Sequence, residues 1–141
     1  MSISILGFVL FCAYMILNAG NASITRDNTL LEVQEQSRNA MQRMVHEIRQ
    51  ASTQTITVIS ASSDSITFTI PTASNIKYYL TGTNLIREYP AGTTATVANS
   101  IAYLKFTLNS KLLTISVRAD KTRYTQTVSF PLIEQVRLRN E

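Results

Sequence analysis

An α+β fold, with one long N-terminal helix carrying a C-terminal antiparallel β-sheet domain, is predicted by three stretches of this 141-residue sequence. No charge occurs before Arg26, and from Leu30 apolar side chains recur at three- and four-residue steps. From about Ser52 the alphabet changes to Thr, Ile, Val, Ser and Tyr in period-two alternation. One helix followed by a run of strands is an α+β order, not the alternation of a parallel sheet. The chain accordingly divides into an apolar helical segment over 1–25, an amphipathic helix over 26–52 and a sheet domain over 53–141.

The apolar segment is built on Ile3, Ile5, Leu6, Gly7, Phe8, Val9, Leu10, Phe11, Tyr14, Ile16 and Leu17, interrupted between Ile3 and Leu17 only by Ser4 and Gly7. As a helix, the 25 uncharged residues before Arg26 reach roughly 37 Å, against a hydrocarbon core of about 30 Å. A secretory signal peptide would need a basic n-region, which is missing, although Gly20-Asn21-Ala22 could precede a cut. A buried core helix fits poorly, because the run is apolar on all faces and the rest of the chain is too small to enclose it. A helix held in a membrane or in a bundle of like helices fits best. Cys12, the single cysteine, lies inside this run and cannot form an intrachain disulfide. A buried apolar thiol is its ordinary reading, with lipidation or an intermolecular bridge as alternatives.

Asn18 to Thr29 is dense in Asn, Ser, Thr and Gly, and as a helix it is several kcal/mol worse than polyalanine. Thr29-Leu30-Leu31-Glu32 has the form of a capping box, so a helix-poor joint and a second helix starting near Leu30 are expected. From Leu30 to Ala51, Val33, Ser37, Ala40, Met41, Met44, Val45 and Ile48 draw one stripe that needs a sheet or helix to cover it. Arg43 with Glu47 and Glu35 with Arg38 are expected surface pairs.

Strands are expected at Thr55 to Ser60, Ser65 to Ile70, Ile76 to Leu80, Leu85 to Tyr89, Ala102 to Leu108, Leu112 to Arg118, Arg123 to Phe130 and Gln135 to Arg139, in one sheet. The turns between them are Ala61-Ser62-Ser63-Asp64, Thr81-Gly82-Thr83-Asn84, a Thr-rich loop opened by Pro90-Ala91-Gly92, Asn109-Ser110 and Ala119-Asp120-Lys121. Inward positions include Ile56, Val58, Ile66, Phe68, Leu104, Phe106, Leu113, Ile115, Val117, Tyr124, Val128 and Phe130.

Catalysis finds little support. His46, the sole histidine, lies off the stripe beside Glu47 with no second His or Cys nearby, and the carboxylates beyond the helix are isolated. Gly82 and Gly92 are separate turn glycines, not a phosphate loop. Neither an enzyme nor a bound metal or cofactor is expected. The net charge of +4 sits on the sheet domain, where nine basic residues face five acidic ones from Ala51 onward. Lys77, Tyr79, Arg87 and Lys105, with Tyr78 and Tyr89, offer basic and aromatic groups to a sheet surface that could contact DNA or a secreted substrate.

The apolar start SISILGFVL, the amphipathic LLEVQEQSRNAMQRMVHEIRQAS, the hairpin IKYYLTGTNLIREY, the strand ANSIAYLKFTL and the closing VRLRN, taken in order, resemble a type IV pilin-like protein. The likeness is to the J-type minor pseudopilins of type II secretion and the W-type minor pilins, and it covers most of the chain. It implies a structural subunit held in the bacterial cytoplasmic membrane by a single-pass helix, with its head outside the cytoplasm. Such a subunit is extracted into a pilus or pseudopilus, where the helices form a dry bundle. The implied partners are other pilin-like subunits and the membrane, with an assembly platform and ATPase acting indirectly. Family members begin with a basic leader and a cleavage motif carrying a glutamate just inside the mature end. Met1 is preceded by neither, which implies that the leader and first turns of the helix are missing here.

Overall fold

The computed structural model describes residues 2–51, 55–58, 64–123 and 126–138. One helix, α1 (Ser2–Ile48), is followed by β1 (Thr57–Val58), β2 (Ser65–Ile70), β3 (Ala73–Thr81), β4 (Asn84–Glu88), β5 (Thr94–Ala98), β6 (Ile101–Asn109), β7 (Leu112–Arg123) and β8 (Gln126–Arg137). The architecture is α+β, with the helix packed on antiparallel sheets. Among the described residues the strands form two sheets, five strands in the order β1-β2-β3-β4-β5 and three in the order β6-β7-β8, where the alternation pattern suggests one. The division falls at Asn99-Ser100, where Ser100 takes a positive φ of 62° and Ile101 N–H donates to Thr83 O in the β3–β4 turn.

The helix buries Val33, Ser37, Ala40, Met41, Met44, Val45 and Ile48, and Ala51 just past its end, mainly against β7 and β8. Opposite them lie Ile66, Phe68, Ile76, Tyr78, Leu85, Phe106, Leu113 and Ile115, all fully buried. Fully burying a side chain of this size stabilises by about 1.5–3 kcal/mol, so this shared core is what fixes the head to the helix.

Several boundaries differ from the sequence reading. The helix does not break at Asn18 to Thr29 and no second helix begins near Leu30. Thr29 is 2% exposed and its Oγ1 donates to Thr25 O at 2.8 Å, so the hydroxyl that would cap a new helix bonds back to the preceding turn instead. A continuing helix pays no new nucleation cost, which offsets poor local propensity. The Thr-rich segment after Pro90 is strand β5, because Thr and Val suit a pleated surface and pair with β4 from Leu85↔Ala98 to Glu88↔Thr94. Ala119-Asp120-Lys121 is not a turn. β7 runs on to Arg123, with Ala119 buried opposite Ile101 and Asp120 held by Arg118. The two expected last strands are one, β8. Pro131 sits inside it, and the edge position of β8 allows a residue without an N–H.

The β3–β4 turn has Thr81 opposite Asn84, so only Gly82 and Thr83 span it, and Gly82 takes the φ of 60° that a tight hairpin demands at its first loop position. Ser52, residues 59–63 of the first expected strand and its turn, Tyr124, Arg139 and Glu141 lie outside the described residues. The Val58 side chain also lies outside them.

Ser23, Ile24, Asp27 and Asn28 are exposed, whereas the Met41–Ile48 turns press on the sheets. Backbone amides of Ser23 to Asn28 are therefore expected to exchange with deuterium at least about tenfold faster than those of Met41 to Ile48. Equal protection in the full-length protein in detergent would show that the segment is no weaker than the rest of the helix.

Candidate functional site

The half of the helix that precedes the head is bare. Ile5, Leu6, Phe8, Val9, Leu10, Phe11, Tyr14, Ile16 and Leu17 are all exposed, Ile5 at 66% and Leu17 at 67%. Since successive helical residues point about 100° apart, this run presents apolar surface in every direction. The segment is long and apolar enough to cross a membrane, and none of it is buried within the chain. A side chain at Gly7 would meet nothing within 4 Å, so its surface is open to a neighbour. Cys12 is a free thiol at an intermediate position on the same segment. Ile3 belongs to the helix, its side chain lying outside the described ones.

Polar links hold the head in register on the other half. The strongest is at Glu47. Tyr78 Oη donates to Glu47 Oε2 at 3.0 Å, and Arg87 Nε lies 3.0 Å from both carboxylate oxygens. Tyr78 and Arg87 face each other across β3 and β4, which is why one helix carboxylate meets both. Phe68 stacks on Tyr78 with ring centroids 6.1 Å apart. Burial, then the charge and hydrogen bond of Glu47, push the Tyr78 phenol well above its ordinary range. Burial disfavours the Arg87 charge, but the hydrogen bond and charge of Glu47 outweigh it and hold Arg87 above its ordinary value. Further links join Lys121 to Glu32, Asn99 N–H to Gln36 Oε1 at 3.0 Å and, at 3.6 Å, Arg49 to Glu134.

The expected Arg43–Glu47 pair is thus replaced by a partner 40 positions away, and no Glu35–Arg38 pair forms among the described residues. Glu47 was readable as a helix carboxylate, but only the β3–β4 register brings Tyr78 and Arg87 to it.

The four basic and aromatic residues do not gather. Lys77 lies 4.9 Å from the Tyr79 ring centroid, and Lys77 stands opposite Glu88 on β4. Arg87 is committed to Glu47, and Lys105 is on β6 in the second sheet. Tyr78 is fully buried, and Tyr89 is covered by Arg87, 5.5 Å from its ring centroid. His46 is exposed, its Nε2 3.4 Å from Gln50 Nε2, and no cluster of three metal-ligating side chains exists among the described residues. A groove of about 320 Å³ opens where the buried stripe gives way to the bare helix, between Ala22, Thr25 and Arg26 on the helix and Arg123, Gln126 and Val128 on the β7–β8 hairpin.

Replacing Glu47 by Ala leaves the Arg87 charge and the Tyr78 hydroxyl without their acceptor, and is expected to cost about 2–3 kcal/mol of head stability in denaturant unfolding of the full chain. Tyr78→Phe is expected to cost about 1–2 kcal/mol. Because the Tyr78 phenol is raised in the folded state, its contribution is complete below its unfolded value of about 10 and is lost as pH rises beyond it, with a slope of at most about 1.4 kcal/mol per pH unit. Tyr78→Phe should flatten the alkaline limb of the stability profile, and an unchanged limb would contradict the raised phenol.

No family model matches this chain, and neither does any curated protein or solved structure.

Proposed function

We propose that this chain is a structural subunit of the minor pilin or pseudopilin kind, held in the bacterial cytoplasmic membrane and then assembled into a type IV pilus-like or type II secretion filament. The observation that carries this reading is one unbroken helix, Ser2–Ile48, whose first half is uncharged and bare while its second half is built into the head. A helix apolar on all sides needs surroundings without water, and lipid or a bundle of like helices supplies them equally well. Exchange between the two therefore costs little at the apolar segment. Because the helix is continuous, the head follows wherever that segment packs. The small, open position at Gly7 supports close approach of a neighbouring helix. The head stands outside the cytoplasm, and its partners are other pilin-like subunits, with an assembly platform and ATPase acting indirectly. A membrane-displayed module for DNA or a secreted substrate gains no comparable support, since Arg87 is neutralised by Glu47 and Lys105 is on the other sheet.

The tagged full-length protein, expressed in a bacterium that makes such a filament, is expected to remain with membranes after alkaline washing. A photo-crosslinker placed at Val9 or Phe11 should capture other long-helix subunits when the filament assembles. Leu10→Asp, which costs about 3 kcal/mol at the centre of a spanning helix, should shift the protein toward the soluble fraction. Recovery of the unmodified chain as a soluble monomer would refute the proposal.

A further inference from the structure

We infer that the groove between the helix and the β7–β8 hairpin is a seat for the phosphate of an acidic phospholipid head group, gripped by Arg26 and Arg123; this rests on the membrane-held reading above. The two arginines come from distant parts of the chain and line the same groove. Neither has an ion pair among the described residues, and these two are the basic side chains that line this groove. Two arginines on one groove offer planar donor forks, and a phosphate can answer both. Asn21 and Gln126 line the same space and add amide donors. The neighbouring acidic groups are otherwise placed. Asp27 is the next residue round the helix, about 100° from Arg26, and Glu32 is bound by Lys121.

Depth along the helix selects a lipid as the source of that phosphate. From Ile5 to Ala22 the helix spans about 26 Å, close to a hydrocarbon core of about 30 Å. Arg26 lies four residues further, about 6 Å on, within the head-group layer that adds roughly 5–7 Å on each side. The apolar wall supplied by Ala22 and Val128 suits the glycerol end of a lipid better than a hydrated ion. The head would thereby be set at a fixed height and angle on an acidic membrane, and extraction into a filament would release the lipid.

The test is reconstitution of the full-length chain into phosphatidylcholine vesicles containing a minor fraction of spin-labelled phosphatidylglycerol or spin-labelled phosphatidylcholine. Wild-type protein is expected to immobilise labelled phosphatidylglycerol with at least about fivefold preference, the size of one basic residue near an anionic surface. Arg26→Gln with Arg123→Gln should bring the preference to parity, the corresponding double Lys variant should recover part of it, and Lys77→Gln should leave it unchanged. Millimolar inorganic phosphate should not compete; if it abolishes the preference, the site takes free phosphate and the lipid assignment falls. A preference retained by the double Gln variant, with an unchanged far-ultraviolet spectrum, would overturn the inference while leaving the membrane reading intact. Failure of the wild type to float with either vesicle would overturn both.

Discussion

Everything in this molecule depends on burying one stripe of a single helix while the same helix continues bare. Val33, Ala40, Met41, Met44, Val45 and Ile48 are buried against the sheets, and ten large apolar residues from Ile5 to Leu17 are exposed. The hydrophobic effect acts on both halves with the same strength per unit area, but only one half satisfies it within the chain. The unsatisfied half is long and apolar enough to cross a membrane, and its position relative to the head is fixed by the half that is satisfied. Glu47 adds direction to this attachment. Apolar burial tolerates sliding and rotation, whereas a carboxylate shared by Tyr78 and Arg87 fixes the helix to one register on β3 and β4.

The long helix, its stripe and most strands were legible because they rest on period and composition. Ser65–Ile70 alternates cleanly and ends at Pro71, and it folds as that pattern implies. Departures came where a local signal had a competitor that only the folded chain supplies. Thr29 looks like a cap, but once the preceding turn is already helical its hydroxyl has a nearer acceptor in Thr25 O. Two strands were expected on either side of 131–134, yet β8 runs through Pro131, whose place on an edge strand removes the penalty. Ala119-Asp120-Lys121 reads as a turn, yet the β6–β7 register and the Arg118–Asp120 pair keep it extended.

The site was half legible for the same reason. That no charge precedes Arg26 marks the end of the apolar segment on sequence alone. That Arg123 joins Arg26 depends on β7 continuing past Asp120, which the turn composition concealed. Glu47 shows the converse, since its i, i+4 neighbour Arg43 was the visible partner and the true one is brought by strand register. In Lys77, Tyr79, Arg87 and Lys105 the residue types were right for a ligand surface, but alternation pairs Arg87 with Tyr78 instead of the Lys77–Tyr79 side, and Lys105 is in the other sheet.

Asn18 to Asn28 is the part of the helix that neither environment supports. Its residues are poor helix formers, and the head reaches it only along the groove at Ala22, Thr25 and Arg26. It stays helical because both ends are already helical, so propagation through it needs no nucleus. Such a segment is stable when its flanks are aligned and yields first when they are not. In the proposed cycle the apolar half changes partners from lipid to helices while the head keeps its own contacts. The mismatch between those two settings has to be absorbed somewhere along the rod. Absorbing it in Asn18 to Asn28 disturbs neither the buried stripe nor the Glu47 cluster, so a weak but unbroken stretch lets the head be carried intact from membrane to filament.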